Sequence, residues 1–169
     1  MERRERLEKL YERVYSHPRL VSALYILGSV AVVYVILGFV TVVSALVLDG
    51  AYLDCAKLLA LAAIPFAVVS VMRFILSSDR PYEVIDLAQF EKMRATRKKG
   101  KSFPSRHVFS VFLIGVLSFS YSLPLGIIVL ALGAFIALSR VLLGIHFVKD
   151  VVVGALIGAL SGVIALLIL

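Results

Sequence analysis

Residues 108–139 read VFSVFLIGVLSFSYSLPLGIIVLALGAFIALS, 32 positions without one charge. At 1.5 Å per residue, a helix needs about 20 residues to cross the hydrocarbon core of a bilayer. The stretch is too long for one span and just long enough for two. Ser118 to Pro124 supplies the turn between them, with Pro124 near the start of the second helix. Outward from this stretch, Leu20 to Leu48 is uncharged, Leu58 to Met72 is a second apolar run that stretches to 52–76, and Val151 to Leu169 is a last one. The pattern predicts five transmembrane spans, at roughly 21–47, 53–76, 105–120, 123–142 and 146–168, in an all-α integral membrane bundle.

Composition agrees. Of 169 residues, 61% are hydrophobic and 17% charged, against about 45–50% and about 25% in soluble domains. So much apolar side chain cannot be hidden in a soluble fold of this size, which excludes a soluble enzyme, a disordered chain and a disulfide-stapled module. Cys55 is alone and has no intrachain partner. The first run is twice the length of a signal-peptide core and reads as a span. The net charge of +7 is read as cytoplasmic loops or a nearby anionic phosphate, not as a nucleic-acid surface.

Two segments follow. Residues 1–19 are an amphipathic interfacial helix and lead-in, with Leu7, Leu10, Tyr11 and Val14 on one face and Glu and Arg on the other, ended by Ser16-His17-Pro18. His17 in that break has no partner in the sequence and is given no catalytic role. Residues 20–169 are the membrane-embedded domain. Gly154, Gly158 and Gly162 form a small-residue ridge on the last span that lets a neighbouring backbone come close. It is read as packing within the chain, in a monomer or homodimer.

Polar residues are concentrated. Residues 77–104 carry seven basic and four acidic side chains, and the N-terminal segment to residue 19 carries six and four. With five spans these regions and the loop near 140–150 share one side, which the positive-inside rule places in the cytoplasm. Four clusters lie at that rim: Arg73 and Arg80-Pro81; Ser102-Phe103-Pro104-Ser105-Arg106-His107; Ser139-Arg140; and His146 with Asp150. Ionisable groups at membrane spans are expensive and mark function.

Their chemistry is that of phosphate handling. His146 and Asp150 are four apart and share a helix face. A carboxylate beside an imidazole fixes its tautomer and raises its basicity, so such a histidine can attack phosphorus. His107 lies just inside a helix start, where free backbone N–H groups attract a phosphoryl oxygen, and Ser105 can donate to that oxygen or cap the helix. Arg73, Arg80 and Arg140 offer forked donors to a tetrahedral anion. Two histidines and an aspartate make at most a sparse metal site, and the arginines oppose a cation. An anion site is expected, with no metal and no cofactor.

These segments resemble the signature of the type 2 phosphatidic acid phosphatase (PAP2) superfamily, Lys-x6-Arg-Pro, Pro-Ser-Gly-His and Ser-Arg-x5-His-x3-Asp. Here they are Arg73-x6-Arg80-Pro81, Pro104-Ser105-Arg106-His107 and Ser139-Arg140-x5-His146-x3-Asp150, all within residues 73–150. The resemblance implies His146 as nucleophile, Asp150 as its orienting carboxylate and His107 as acid and base. It implies Arg73, Arg80, Ser105 and Arg140 as phosphate-binding groups. Arg73 replaces the usual lysine. Arg106 replaces a glycine and is a candidate for substrate specificity. Many members have six spans, one more than read here. The function expected is metal-independent hydrolysis of a phosphate monoester or pyrophosphate on a membrane lipid, such as phosphatidylglycerol phosphate, phosphatidate or a prenyl-linked phosphate. The alternatives are a phosphotransferase using the same phosphohistidine and a membrane protein that only binds phospholipid head groups.

Overall fold

The computed structural model describes residues 2–97 and 99–169; Met1 and Lys98, one of the seven basic residues counted above, lie outside them. The described chain is helical: α1 (Glu2–Tyr15), α2 (Pro18–Leu48), α3 (Tyr52–Leu76), α4 (Pro81–Val84), α5 (Glu91–Thr96), α6 (Arg106–Leu117), α7 (Leu123–Leu142) and α8 (Val148–Ile168).

Among the described residues, four helices are long and apolar enough to cross a membrane: α2, α3, α7 and α8. The expectation of five spans is corrected at the third. α6 has only 12 residues, about 18 Å of helix, extended by a 3-10 turn over Ser118–Ser120. The shortness has a physical reason. α6 is the enclosed helix of the bundle, packed by α7, α8, α2 and α3, with Val108, Phe109, Val111, Leu113 and Leu117 buried. A helix shielded from lipid need not match the thickness of the bilayer.

The bundle has two distinct ends. Leu24 at the start of α2 packs with Leu143 and Ile145 beyond α7. Val42, Leu58, Leu117 and Ala165 meet at the other end. The glycine ridge of α8 is taken up by α6. A Cβ at Gly154 would lie 2.7 Å from the Ser105 carbonyl oxygen, one at Gly158 would strike the Phe109 carbonyl, and one at Gly162 would lie 2.6 Å from Val116. The two backbones therefore touch, as small residues permit.

The apolar face of α1 is covered by protein. Tyr11 packs with Tyr82, Ile85, Phe90 and Met93 from the segment between α3 and α6. Its ring meets Phe90 edge-on at 5.3 Å, and the Tyr15 hydroxyl donates to the Leu143 carbonyl at 3.1 Å. Burial, with the negative charge of Asp150 adding to it, pushes the Tyr11 hydroxyl up to about 12. By contrast Ile26, Leu27, Ile64, Val68, Phe74 and Leu160 are exposed, the outer surface expected of a bundle solvated by lipid.

Candidate active site

Hydrogen bonds tie the three motif segments together. The Ser102 N–H donates to the Ser78 carbonyl at 2.8 Å, and the Phe103 N–H to Ser78 Oγ at 3.0 Å. Arg80 Nε donates to the Gly100 carbonyl at 3.2 Å. Arg73, buried in the last turn of α3, donates from Nη1 to the Pro104 carbonyl at 2.7 Å. The Ser105 N–H donates to the Asp150 carbonyl at 2.9 Å, which joins the second motif to the third.

The turn after α7 sets the histidine. Gly144 has φ +66°, and a Cβ there would lie 2.5 Å from the Phe90 ring, so both conformation and space favour glycine. The Ile145 and His146 N–H groups both return to the Arg140 carbonyl, at 3.0 and 3.2 Å. His146 is 2% exposed, and its Nδ1 lies 3.6 Å from Asp150 Oδ2. Ser102 Oγ stands between them, donating to Asp150 Oδ2 at 2.5 Å and lying 3.2 Å from His146 Nδ1. Asp150 Oδ2 also accepts the Phe147 N–H at 3.0 Å. With Nδ1 held on this side, Nε2 is the ring nitrogen left for a reacting atom. Burial lowers the imidazole from its ordinary 6.5 more than Asp150 raises it, and Arg80 and Arg73 add to the lowering. A neutral, nucleophilic ring is favoured.

A cavity of about 230 Å³ opens in front of this group. Arg73, Arg80, Arg106, Arg140, His107 and His146 all line it, joined by Arg97, Tyr82 and Ile145. Ser105 and Asp150 are fully buried. Ser105 holds the N-cap position of α6 without a side-chain cap bond. Its Oγ and the buried Arg140 Nε have no partner within the protein. Buried donors without partners are costly. Arg140 lines the cavity, where an anion would satisfy it, whereas Ser105 lies behind the lining residues at the start of α6. Among the described residues no group of three His, Cys, Asp or Glu side chains converges as metal ligands would. His17 lies apart, its Nδ1 3.0 Å from the Arg13 carbonyl beside α1.

Sequence reasoning left three of these residues without a role. Ser102 was visible as part of the second cluster, and a serine two positions before Pro104 gave no sign of reaching Asp150. Arg97 sits in a run of loop charges. Only the fold separates it from Arg94, which instead donates to the Ile85 and Leu87 carbonyls. Tyr82 carries no signal in the sequence beyond following Pro81; in the fold it lies under Arg80, 5.9 Å from ring centre to guanidinium.

An apolar groove of about 340 Å³ adjoins the polar cavity and shares Arg106 and His107 with it. Val32, Val35, Phe66 and Ile114 form its walls. Phe66, Ser110 and Ile114 continue into a second hollow of about 260 Å³ toward Phe39 and Leu59. The hollows run along α6 between α2 and α3, away from the arginines.

The chain is similar to known proteins. Over 60 residues the chain is 42% identical to the bacitracin transport permease protein BcrC of Bacillus licheniformis, a match covering 36% of this chain and 30% of that one. The chain thus spans less than a third of that curated relative's length. The crystal structure of Aquifex aeolicus LpxE superposes with a TM-score of 0.67 at 23% identity, over 94% of this chain and 93% of that one. The first transmembrane PAP2 type phosphatidylglycerolphosphate phosphatase from Bacillus subtilis superposes with a TM-score of 0.70 at 18% identity, over 97% and 84%. These two likenesses establish the fold. The family model of the PAP2 superfamily matches residues 54–169, the stretch that holds all three motif segments gathered around the arginine-lined cavity, and the chain belongs to that superfamily.

Proposed function

We propose that this protein is a membrane-embedded, metal-independent phosphatase that removes a phosphoryl group from a lipid through a phosphohistidine. The observation that carries the reading is the cavity itself. Five arginines and two histidines face one space, His146 is backed by Asp150 and Ser102, and the space opens onto an apolar groove suited to a lipid chain.

The steps follow from these positions. Arg73, Arg80 and Arg140 hold the phosphoryl oxygens. His146 Nε2 attacks phosphorus. The new N–P bond forms as the P–O bond to the lipid breaks. His107, lowered to about 4 by burial and then by the charge of Arg140, takes up a proton as the negative charge of the phosphate enters beside it, and gives that proton to the departing oxygen. Asp150 stabilises the positive charge left on the ring of His146. A water then attacks phosphorus, its proton passes to His107, and the N–P bond breaks to release inorganic phosphate. The lipid chain lies in the groove between α2, α3 and α6. The basic loops put the cavity on the cytoplasmic face by the positive-inside rule.

Purified protein should release inorganic phosphate from members of a panel of lipid phosphates, undiminished by EDTA. No release from any lipid, or activity lost to EDTA and restored by one divalent ion, would overturn the reading. Release to an alcohol acceptor in preference to water would favour the phosphotransferase alternative. A cysteine placed at Lys92 in a Cys55→Ala background should label only after the membrane is opened; labelling in intact cells would reverse the orientation.

A further inference from the structure

The charged positions usual in the three motifs account for three of the five arginines around the cavity: Arg73, Arg80 and Arg140. Arg106 stands in the second motif in place of its glycine, and Arg97 lies outside the motifs. None of the five is paired with a carboxylate among the described residues. Arg73 and Arg80 are held by backbone carbonyls, and Arg97 lies over the Tyr25 ring at 5.6 Å. A phosphate monoester brings about two negative charges at neutral pH, so one phosphoryl group leaves roughly three of the five cations uncompensated. Unpaired charges crowded into a half-enclosed space repel one another and are costly, unless the ligand carries more anion than the group being cleaved.

The position of Arg106 says where that anion lies. Arg106 and His107 begin α6 and line both the polar cavity and the apolar groove. They stand at the junction, between the buried His146 and the space for the lipid chain. A phosphoryl group at His146 Nε2 and a chain in the groove leave the intervening part of the substrate beside Arg106. Glycine, the residue usual in this motif, would offer no charge there.

We propose that Arg106, with Arg97 adding positive charge to the same cavity, binds a second phosphate carried on the same lipid as the phosphoryl group that is removed. The substrate is then a lipid with two phosphates in series. The terminal phosphate reacts at His146, and the inner one stays on the leaving group beside Arg106. The N–P bond forms at the outer phosphorus, its bond to the bridging oxygen breaks, and the departing lipid keeps the inner phosphate. The proposal rests on the phosphatase reading. Two chemistries supply such a substrate: a lipid diphosphate, and a phospholipid with a head-group phosphodiester and a terminal phosphate.

Two matched pairs separate the sources: farnesyl monophosphate against farnesyl diphosphate, and phosphatidate against phosphatidylglycerol phosphate. In at least one pair the wild-type protein should favour the two-phosphate member by about tenfold or more in kcat/KM, because a site built for a group rejects the analogue lacking it. The favoured pair names the source. R106Q should reduce that preference to about threefold or less, R97Q should reduce it partly, and R106K should keep most of it, because charge at this point is what is read. Arg106 is exposed, so R106Q does not threaten folding. Equal rates within both pairs, or a preference that survives R106Q and R97Q, would overturn the second-phosphate site and leave the phosphatase reading standing. Hydrolysis of none of the four lipids would overturn both.

Discussion

Between α6 and α8 the backbones touch at three glycines, whereas α2 and α3 leave beside α6 an apolar groove of about 340 Å³. Both regions are largely apolar and lie in a lipid-solvated bundle, the seam with its three glycines and the groove with Val32, Val35, Ile36, Phe66, Val111 and Ile114. The seam fixes the start of α6, with Ser105 and His107, against the start of α8, with Asp150. In the proposed mechanism this tightness serves an attacking nitrogen and a proton donor that must stand within fractions of an ångström of their places. The flank has no such demand. A hydrocarbon chain carries little positional information, and a loosely walled hollow accepts it. Close packing follows the chemistry rather than the hydrophobicity.

The comparison breaks most visibly at the seam's catalytic end. His146→Ala removes the proposed nucleophile, and phosphate release should fall by about 10⁴-fold or more. Residual activity near wild type would place the nucleophile elsewhere. Next is the seam itself. Gly158→Val puts a branched side chain onto the Phe109 carbonyl; overpacking of this kind costs about 1–3 kcal/mol or more. Thermal unfolding in detergent should move down with activity. Ala63→Val is the control on the exposed flank, where surface changes stay within about 0.5 kcal/mol. Equal melting shifts for the two would end the distinction between seam and flank.

Smaller effects sharpen it. Ser102→Ala removes the hydroxyl that bridges Asp150 and His146. A hydrogen bond to a charged group is worth about 1.5–3 kcal/mol, so kcat should drop by about tenfold or more, with KM little changed. A loss confined to KM would give Ser102 a part in binding instead. Least of all, Ile114→Phe narrows the groove and should shift preference toward shorter lipid chains by about threefold, the scale of a few methylenes in an apolar pocket. Unchanged chain preference would take the lipid tail out of this groove.

Much of the site was legible before any fold was known, because its residues are expensive where they stand. An arginine or histidine at the end of an apolar run needs a reason, and Arg73, Arg80, His107, Arg140 and His146 all line one cavity. Ser102 and Arg97 were not legible. A serine is cheap anywhere, and Arg97 looks like any loop charge until the chain folds back over Tyr25. The number of spans failed for a related reason. Hydropathy cannot tell a helix that faces lipid from one enclosed by other helices, and α6 is enclosed. The apolar stripe of α1 was visible at its proper spacing, but its partners Tyr82, Phe90 and Met93 lie some 70 to 80 residues further along, beyond what local periodicity can report.

The account turns on which histidine carries the phosphoryl group, and rapid-quench trapping of labelled phosphoenzyme reads this directly. The wild-type protein should yield an acid-labile phosphoenzyme, and His146→Ala none, from either a lipid phosphate or an activated aryl ester. His107→Ala should lose about 10²-fold or more on the lipid, whose alkoxide needs a proton as it leaves. With the activated ester it should still form the phosphoenzyme, and accumulate it, because the attack of water then lacks its base. A phosphoenzyme formed by His146→Ala but not by His107→Ala would exchange the two roles and contradict the geometry in which Asp150 and Ser102 support His146 as the nucleophile.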